Sequence, residues 1–259
     1  MRNTDRYKLM TDRCHGFLFQ TRISCQQSAI GSITKPACCP DRIAVSFQHR
    51  SASEIPMRIG LFGGTFDPIH LGHLILAERC REEAGLEEMW FLPSYVPPHK
   101  AERAITRFEQ RCEMVALATT GQPAFRVERI EKELPPPSFT SETLAELQAR
   151  HPGHEFSLVI GGDSLSDFAT WHMPQRIVEL ARLVAVPRPG ATAVTAGDLA
   201  AQLGLSPERI RLTLVECPAI DIASREIRAR VAAGKTIRYL VPRSIEEYLR
   251  ERKLYTGGS

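Results

Sequence analysis

From Met57 onward, short apolar segments alternate with longer segments in which apolar residues recur at helical spacing. The apolar segments predict strands at 57–62, 89–93, 125–130, 156–160, 183–186 and 210–215. The helical spacing predicts helices at 72–84, 108–119, 141–150, 174–180, 196–203, 225–233 and 245–253. Strands that alternate with helices favour a parallel α/β sheet with crossover helices. We therefore expect a Rossmann-like, doubly wound sheet that binds its ligand at the carboxyl ends of the strands.

Residues 1–56 lack this pattern and are rich in Ser, Thr, Gln and Arg. We expect this segment to be an unstructured extension, or the product of a mis-assigned start with Met57 as the natural first residue. Its Arg-rich and Ser-rich, acid-poor character is also typical of an organellar transit peptide. The predicted organisation is therefore one folded domain at 57–255 behind an extension at 1–56.

Charge is distributed unevenly along the 259 residues. The net charge is +3, yet residues 1–56 alone carry +4, so that the rest of the chain carries −1. Because residues 57–259 have no excess of Lys and Arg over Asp and Glu, a general nucleic-acid-binding surface is not expected there. No uninterrupted apolar stretch reaches the length of a membrane span, and Phe17 to Phe19 is too short for a secretory signal. We expect no nucleic-acid and no membrane partner; nothing in the pattern specifies an oligomeric state.

The cysteines do not form a ligand or redox motif. Cys80, Cys112 and Cys217 lie within apolar patterns without a C-x-x-C pair, which is typical of small buried side chains in a reducing, cytoplasmic protein. A zinc site built from the cysteines of residues 1–56 is the alternative, but their spacing is not that of zinc ligands. We predict no metal site made by the protein itself.

The segment from Gly63 to His73, GGTFDPIHLGH, carries the clearest chemistry. It follows the first predicted strand and precedes the first predicted helix, so the glycines are expected in the turn between them. Paired glycines let the backbone approach an anion, and a helix N-terminus offers unpaired N–H groups to a phosphate. His70 and His73 are three residues apart and share one face of the first helical turn. The segment therefore predicts a phosphoryl-binding site.

Further polar segments follow other predicted strands or open other predicted helices. They are PSYVPPHK at 93–100, PSFTSET at 137–143, IGGDS at 160–164, WH at 171–172, DIASREIR at 221–228 and IRYLVP at 237–242. Together with the histidine motif, in this order and spacing, they resemble the bacterial nicotinate-nucleotide adenylyltransferase family of the HxGH nucleotidyltransferases. The resemblance spans residues 57–255.

This resemblance implies adenylyl transfer from ATP to nicotinate mononucleotide, with Mg²⁺ delivered by ATP. Such a reaction depends on positioning and charge neutralisation, so no nucleophilic Ser or Cys is expected. The catalytic roles fall to His70, His73 and Arg228, which contact the ATP phosphates. The implied ATP site also includes Gly63, Gly64, Thr65, Phe66, Gly161, Asp163, Ile222 and Ser224.

For the mononucleotide, the resemblance implies that Lys100 neutralises a phosphate and that Arg188 assists. Trp171 is expected to stack on the pyridine ring, with Thr140 near the pyridine carboxylate. The alternatives are a core aromatic at Trp171 and a solvated loop charge at Arg188; His99 and His172 are equally open. Cys112 and Met114 are predicted to be core residues.

One departure concerns the phosphate-binding helix, where the family has Ser-Ser-Thr and this chain has Ala223-Ser224-Arg225. Two hydroxyls are lost and a cation is gained, which bears on ATP affinity and leaves a non-catalytic nucleotide sensor as one alternative. Others are a nicotinamide-preferring enzyme, a pantetheine-phosphate or glycerol-phosphate nucleotidyltransferase, and a nucleic-acid-binding protein that uses the basic extension.

Overall fold

In the computed structural model, which describes residues 56–96, 105–187 and 194–257, six parallel strands form one sheet. They are β1 (Arg58–Gly64), β2 (Glu88–Pro93), β3 (Phe125–Val127), β4 (Glu155–Gly161), β5 (Arg182–Val186) and β6 (Leu212–Leu214). Their spatial order is β3-β2-β1-β4-β5-β6. The order reverses between β1 and β4, and the crevice at such a switch point is where doubly wound sheets bind ligands.

Helices cover both faces of the sheet. They are α1 (Leu71–Glu83), α2 (Phe108–Ala118), α3 (Thr140–Arg150), α4 (Gly162–Ser166), α5 (Pro174–Leu180), α6 (Ala196–Leu203), α7 (Ser224–Ala232) and α8 (Arg243–Glu251). One apolar core joins the sheet to α3, α5 and α6, and a second joins it to α1, α2, α7 and α8. Burial on both faces explains why the strands are apolar runs rather than alternating patterns.

The predicted doubly wound parallel sheet is confirmed, with differences at element ends. β1 continues to Gly64, whose partner is Pro93, so the two glycines end the strand instead of forming the turn. β3 ends at Val127, and Ile130 begins a 3₁₀ turn because the side chain of Glu128 accepts its N–H. The short helix α4 was not predicted; a pattern of five residues carries no periodicity.

Several sequence predictions concern side chains away from the sheet ends. Cys80, Cys112 and Met114 are buried as predicted, whereas Cys217 is only half-buried. Within the described ranges, no helix combines the length and apolar character needed to span a bilayer. The predictions for residues 1–55, including the alternative zinc site, lie outside the described residues.

Candidate active site

The two motif histidines cap the N-terminus of α1, and the side chain of each binds the main-chain N–H of the other. His70 is the N-cap residue, and its Nδ1 accepts a hydrogen bond from the main-chain N–H of His73 at 3.4 Å. The Nδ1 of His73 accepts in return from the main-chain N–H of His70 at 3.3 Å. The two rings stack with their centroids 3.6 Å apart. This is a capping box in which imidazoles replace the usual hydroxyl and carboxylate side chains.

The hydrogen bonds also assign the tautomer of these rings. Because each Nδ1 accepts an N–H, the proton of each neutral ring is on Nε2, which is therefore a donor. Burial lowers the pKa of His70 to about 4, so this ring is neutral at pH 7. His70 is thus a neutral hydrogen-bond donor where the sequence left neutral and cationic forms open.

One part of the phosphate argument from sequence is wrong. The first N–H groups of α1 were expected to be unpaired, but Leu71 N–H donates to the carbonyl of Leu240 at 3.0 Å and His73 N–H is held by His70. At the start of α1, a ligand is therefore met by side chains more than by main-chain N–H groups.

Gly72 is required by the approach of the His70 ring. A Cβ at position 72 would lie 3.1 Å from Nδ1 of His70 and 3.4 Å from the side chain of Ile220. Such contacts are tight, so a side chain here would displace the imidazole. The Gly of His-x-Gly-His is therefore explained by packing.

Helix α7 is fastened to the motif loop by two side chains. Ser224 Oγ donates to the carbonyl of Pro68 at 2.8 Å, and Arg228 Nη1 donates to the carbonyl of Asp67. Arg228 Nη1 also lies 3.8 Å from Asp67 Oδ2. The N-cap residue, Ala223, gives no side-chain cap. These contacts bring Arg228 beside the histidine motif, and we call Asp67, His70, His73 and Arg228 the histidine–arginine corner.

A buried arginine that the sequence analysis missed holds the loops next to this corner. Arg111 is 2% exposed and donates to three main-chain carbonyls: Thr106 at 2.9 Å, Thr65 at 2.8 Å and Ser94 at 2.7 Å. Burial lowers its pKa, and the nearby Asp67 carboxylate opposes that effect. Because Thr65 follows β1 and Ser94 follows β2, Arg111 fixes the carboxyl ends of both strands. In the sequence it resembles any other helical arginine, so no signal pointed to it.

A cavity of about 950 Å³ opens beside the corner. Its lining includes several predicted site residues, namely Gly63, Gly64, Thr65, Thr140 and Trp171. The N-terminus of α3 faces it through Phe139, Thr140 and Thr143. Its size is that of a typical small-molecule site.

The rim of the cavity is built from aromatic rings and a buried carboxylate. Trp171 lines the cavity and also packs on the core beside Phe168, with ring centroids 5.4 Å apart. His172 stacks on Phe139 at 4.1 Å. Glu131 accepts the N–H of Tyr95 at 3.0 Å, and burial raises the pKa of its carboxyl group. This carboxylate braces the loop after β2 against the cavity wall.

The remaining predicted residues are placed as follows. Phe66 is buried, with its ring centroid 5.1 Å from that of His73. Gly161 ends β4 at the same sheet edge, and Asp163 follows it, exposed, in α4. Ile222 is half-buried against the second core. Lys100, Arg188 and His99 lie outside the described residues.

Comparisons with known proteins agree with this architecture. A family model described as cytidylyltransferase-like matches residues 61–230. A protein of Thermomicrobium roseum named "Probable nicotinate-nucleotide adenylyltransferase" is 45% identical over 199 residues, which cover 76% of this chain and 91% of that protein. One of the same name from Exiguobacterium sibiricum is 41% identical over 199 residues, covering 77% of this chain and 99% of that protein.

Among solved structures, the chain is similar to a Plasmodium falciparum nicotinic acid mononucleotide adenylyltransferase complexed with NaAD. The TM-score is 0.63 at 17% identity, with 77% of this chain and 97% of the other covered. This likeness concerns the fold, whereas the sequence relatives establish the family. The chain belongs to the nicotinate-nucleotide adenylyltransferase family of nucleotidyltransferases.

Proposed function

We propose that this chain transfers the adenylyl group of ATP to nicotinate mononucleotide, giving deamido-NAD and pyrophosphate. The observation that carries the proposal is the histidine–arginine corner joined to a large cavity by one segment, since Gly63 to Thr65 line the cavity and the corner begins at Asp67. Relatives at 41–45% identity bear the name of this activity.

In the proposed reaction, an oxygen of the mononucleotide 5′-phosphate forms a bond with the α-phosphorus of ATP. The bond from that phosphorus to the β-bridging oxygen breaks, and pyrophosphate leaves with the electron pair. Nothing is transferred to the protein, so catalysis consists of orienting two phosphates and neutralising the charge that develops.

The corner supplies donors for that charge. His70 and His73 offer Nε2–H groups, and a neutral His70 does so without giving up a proton at pH 7. Arg228 is proposed to hold the β- and γ-phosphates, because its guanidinium is already oriented by Asp67. Ser224 contributes its main-chain N–H, since its hydroxyl is used by Pro68.

The departure at 223–225 is compatible with this arrangement. Ala223 is the N-cap of α7 and gives no side-chain cap, and Arg225 is exposed on the first turn. Glu226 lies in the same turn and balances this charge, so the amides of the helix N-terminus are the proposed phosphate donors. We propose that ATP binds here without the two hydroxyls that the chain lacks.

The cavity is proposed to take the mononucleotide. Trp171 offers a ring for stacking on the pyridine, and Thr140 begins α3 at the cavity wall. Phe139, Thr140 and Thr143, at the start of α3, line the cavity, so the positive end of this helix faces it. A helix N-terminus favours a carboxylate over a neutral amide, which supports nicotinate as the substrate over nicotinamide.

The outer parts of the substrates have proposed partners as well. Gly161, Asp163 and Ile222 are proposed to line the adenosine moiety, with the Asp163 carboxylate on a ribose hydroxyl or on water bound to a cation. Phe66 and Thr65 contribute main-chain N–H groups beside the phosphates. Lys100 and Arg188 are proposed to neutralise a phosphate of the mononucleotide.

Mg²⁺ is proposed to enter as part of the substrate, MgATP. Among the described residues, no group of three or more His, Cys, Asp or Glu side chains is arranged to hold a metal ion. Phosphate oxygens and water are ligands that Mg²⁺ prefers, and an ion bridging them neutralises the departing pyrophosphate.

The test is to incubate the protein with ATP, Mg²⁺ and either mononucleotide, and to follow dinucleotide and pyrophosphate by chromatography. We expect deamido-NAD from the nicotinate substrate, a much slower reaction with the amide, and loss of both in excess chelator. No dinucleotide from either substrate, or full turnover in chelator, would contradict the proposal.

A further inference from the structure

A short segment after α8 returns to the histidine–arginine corner. The helix ends at Glu251, and the chain then turns through Arg252 to Tyr255, with φ of +51° at Lys253 and +61° at Tyr255. Lys253 adopts the left-handed conformation that commonly ends a helix. Tyr255 repeats it two residues later, where helix termination gives no reason for it. Such a conformation is uncommon for a residue with a side chain and persists where other contacts hold it.

The contacts that hold Tyr255 are made by its hydroxyl. It donates to Asp67 Oδ1 at 2.5 Å, across 188 positions of the chain, and accepts from Thr106 Oγ1 at 3.2 Å. Burial and the adjacent Asp67 carboxylate both raise the pKa of the phenol. The hydroxyl therefore remains protonated, and a donor, at neutral pH.

Asp67 divides its two carboxylate oxygens between different partners. Oδ1 accepts the Tyr255 hydroxyl, whereas Oδ2 lies 3.8 Å from Arg228 Nη1. The Asp67 main-chain carbonyl accepts from the same nitrogen of Arg228. With Oδ1 held by Tyr255, the Asp67 carboxylate keeps one orientation. The Arg228 guanidinium, which contacts both the carbonyl and the carboxylate of Asp67, is thereby held in one direction.

We propose that Tyr255 is a positioning residue for phosphate binding, which it serves by fixing Asp67 and, through Asp67, the guanidinium of Arg228. The inference rests on the proposed role of Arg228 as a contact of the ATP phosphates. Without the phenol hydroxyl, Oδ1 of Asp67 loses its donor and the carboxylate is no longer fixed, so the guanidinium that Asp67 orients loses its fixed direction. A guanidinium binds phosphate through two parallel hydrogen bonds, which depend on that direction.

The first test is Tyr255→Phe, which removes one oxygen atom and keeps the ring. We expect kcat/KM for ATP to fall about 10-fold, because the variant loses a hydrogen bond to a charged group that orients a ligand. KM for the mononucleotide should not change, because the cavity makes no use of Tyr255. The split between the two substrates distinguishes positioning of Arg228 from a general loss of structure.

Tyr248→Phe is the matched control. Tyr248 lies in α8, is buried, and donates to the Glu113 carboxylate at 2.6 Å. It therefore offers the same tyrosine–carboxylate hydrogen bond away from the corner. We expect its loss to leave both kcat/KM values unchanged. Equal kinetics for Tyr255→Phe and Tyr248→Phe would overturn the proposal.

The second test repeats Tyr255→Phe in an Arg228→Ala background. If Tyr255 acts through Arg228, the second substitution causes no further loss once the guanidinium is absent. The same 10-fold loss in both backgrounds would show that Tyr255 acts by another route and would overturn the proposal. Thr106→Val provides a milder variant, with a smaller loss in the same direction, if Tyr255→Phe proves too unstable.

Calorimetric titration with MgATP alone separates this inference from the proposed function. We expect weaker MgATP binding by Tyr255→Phe and unchanged binding by Tyr248→Phe. A wild-type protein that binds MgATP but forms no dinucleotide would contradict the proposed reaction, and the binding comparison would still decide the role of Tyr255. Undiminished MgATP affinity in Tyr255→Phe would overturn that role.

Discussion

The histidine–arginine corner and the cavity share one edge of the sheet but are assembled differently. In the corner, Asp67, His70 and His73 lie within one short segment, and only Arg228 comes from a distant helix. The cavity draws its lining from the ends of β1, β2 and β4, the loop before α3, α3 itself and the segment before α5. The residues proposed to bind the ATP phosphates thus lie mostly within one segment, whereas the surface proposed to bind the mononucleotide is assembled from distant parts of the chain.

The two regions also differ in how their polar groups are satisfied. In the corner, side chains and main-chain groups bind one another closely: imidazole to N–H, guanidinium to carbonyl, phenol to carboxylate. In the cavity, the aromatic residues Trp171 and Phe139 line the wall, and the Glu131 carboxylate accepts the main-chain N–H of Tyr95. A preorganised corner suits charge stabilisation in a transition state, whereas aromatic walls suit binding of a planar ring.

The largest expected effect is at the corner. His73→Ala should lower kcat by roughly 10²–10³, the usual cost of removing one preorganised donor from a site of developing charge. The free energy of unfolding should fall by only about 1 kcal/mol, because one half of the capping box is lost. Steady-state kinetics and urea unfolding measure the two quantities.

His151→Ala is the control for this substitution, since His151 contacts Trp90 and His154 instead of the corner. It should keep the wild-type kcat. Near-normal turnover in His73→Ala would show that His73 is a structural cap and would remove the distinction between the two regions.

The next effect concerns the pH dependence of stability at the corner. The pKa of His70 is about 4 in the folded protein and about 6.5 when unfolded, so the unfolded chain binds an extra proton between these values. The contribution of a neutral His70 to the free energy of unfolding is therefore fully present above about pH 6.5. It decreases by about 3 kcal/mol as the pH falls toward 4.

His70→Asn isolates this contribution. The Asn side-chain oxygen can still accept the His73 N–H but does not titrate. Urea unfolding of both proteins from pH 7 to pH 4.5 should show a shallower decline for the variant. Parallel curves would mean that His70 titrates normally and that the corner is more hydrated than its burial indicates.

A smaller effect is expected in the cavity. Trp171→Ala should raise KM for the mononucleotide roughly 10-fold, because stacking of a base on an aromatic ring contributes about 1–3 kcal/mol. KM for ATP should change little. Trp171→Phe, which keeps a ring, should stay within a few-fold of wild type. Equal changes in both KM values would show that the corner and the cavity do not act separately.

The smallest effect is expected from removing residues 1–56. We propose that residues 57–255 form the nucleotidyltransferase domain, since both apolar cores are built within the described residues from Met57 onward. A protein that begins at Met57 should retain the melting temperature and kcat of the full chain. A large fall in either, or a response to zinc confined to the full chain, would assign a structural role to the extension.

Much of the fold and the two histidines of the corner could be predicted because they depend on local signals, and Arg228 was implied by the family resemblance. Helices α5 and α6 have their predicted bounds, since Pro174 opens one and Gly204 ends the other. The histidine motif was recognisable because strand, glycines and helix start are contiguous. Lys100 and Arg188 remain predictions.

Other features could not be predicted, because their partners are distant in sequence. Arg111 resembles any helical arginine until the fold places three carbonyls around it. The unpaired N–H expected at Leu71 is absent because Leu240 reaches it from another part of the chain. Tyr255 gave no signal, since the Asp67 carboxylate and the Thr106 hydroxyl that bind its side chain lie 188 and 149 positions away.

The sequence by itself determined the parallel sheet, the order of its elements and the residues of the histidine motif. Periodicity and short contiguous motifs depend on residues that are close in the sequence, so they can be recognised without the fold. The tertiary structure alone decided the neutral form of the buried His70, the carboxylate that orients Arg228 and the residues that form the cavity wall. These are set by burial and by the directions of hydrogen bonds, both of which exist only once distant segments have packed together.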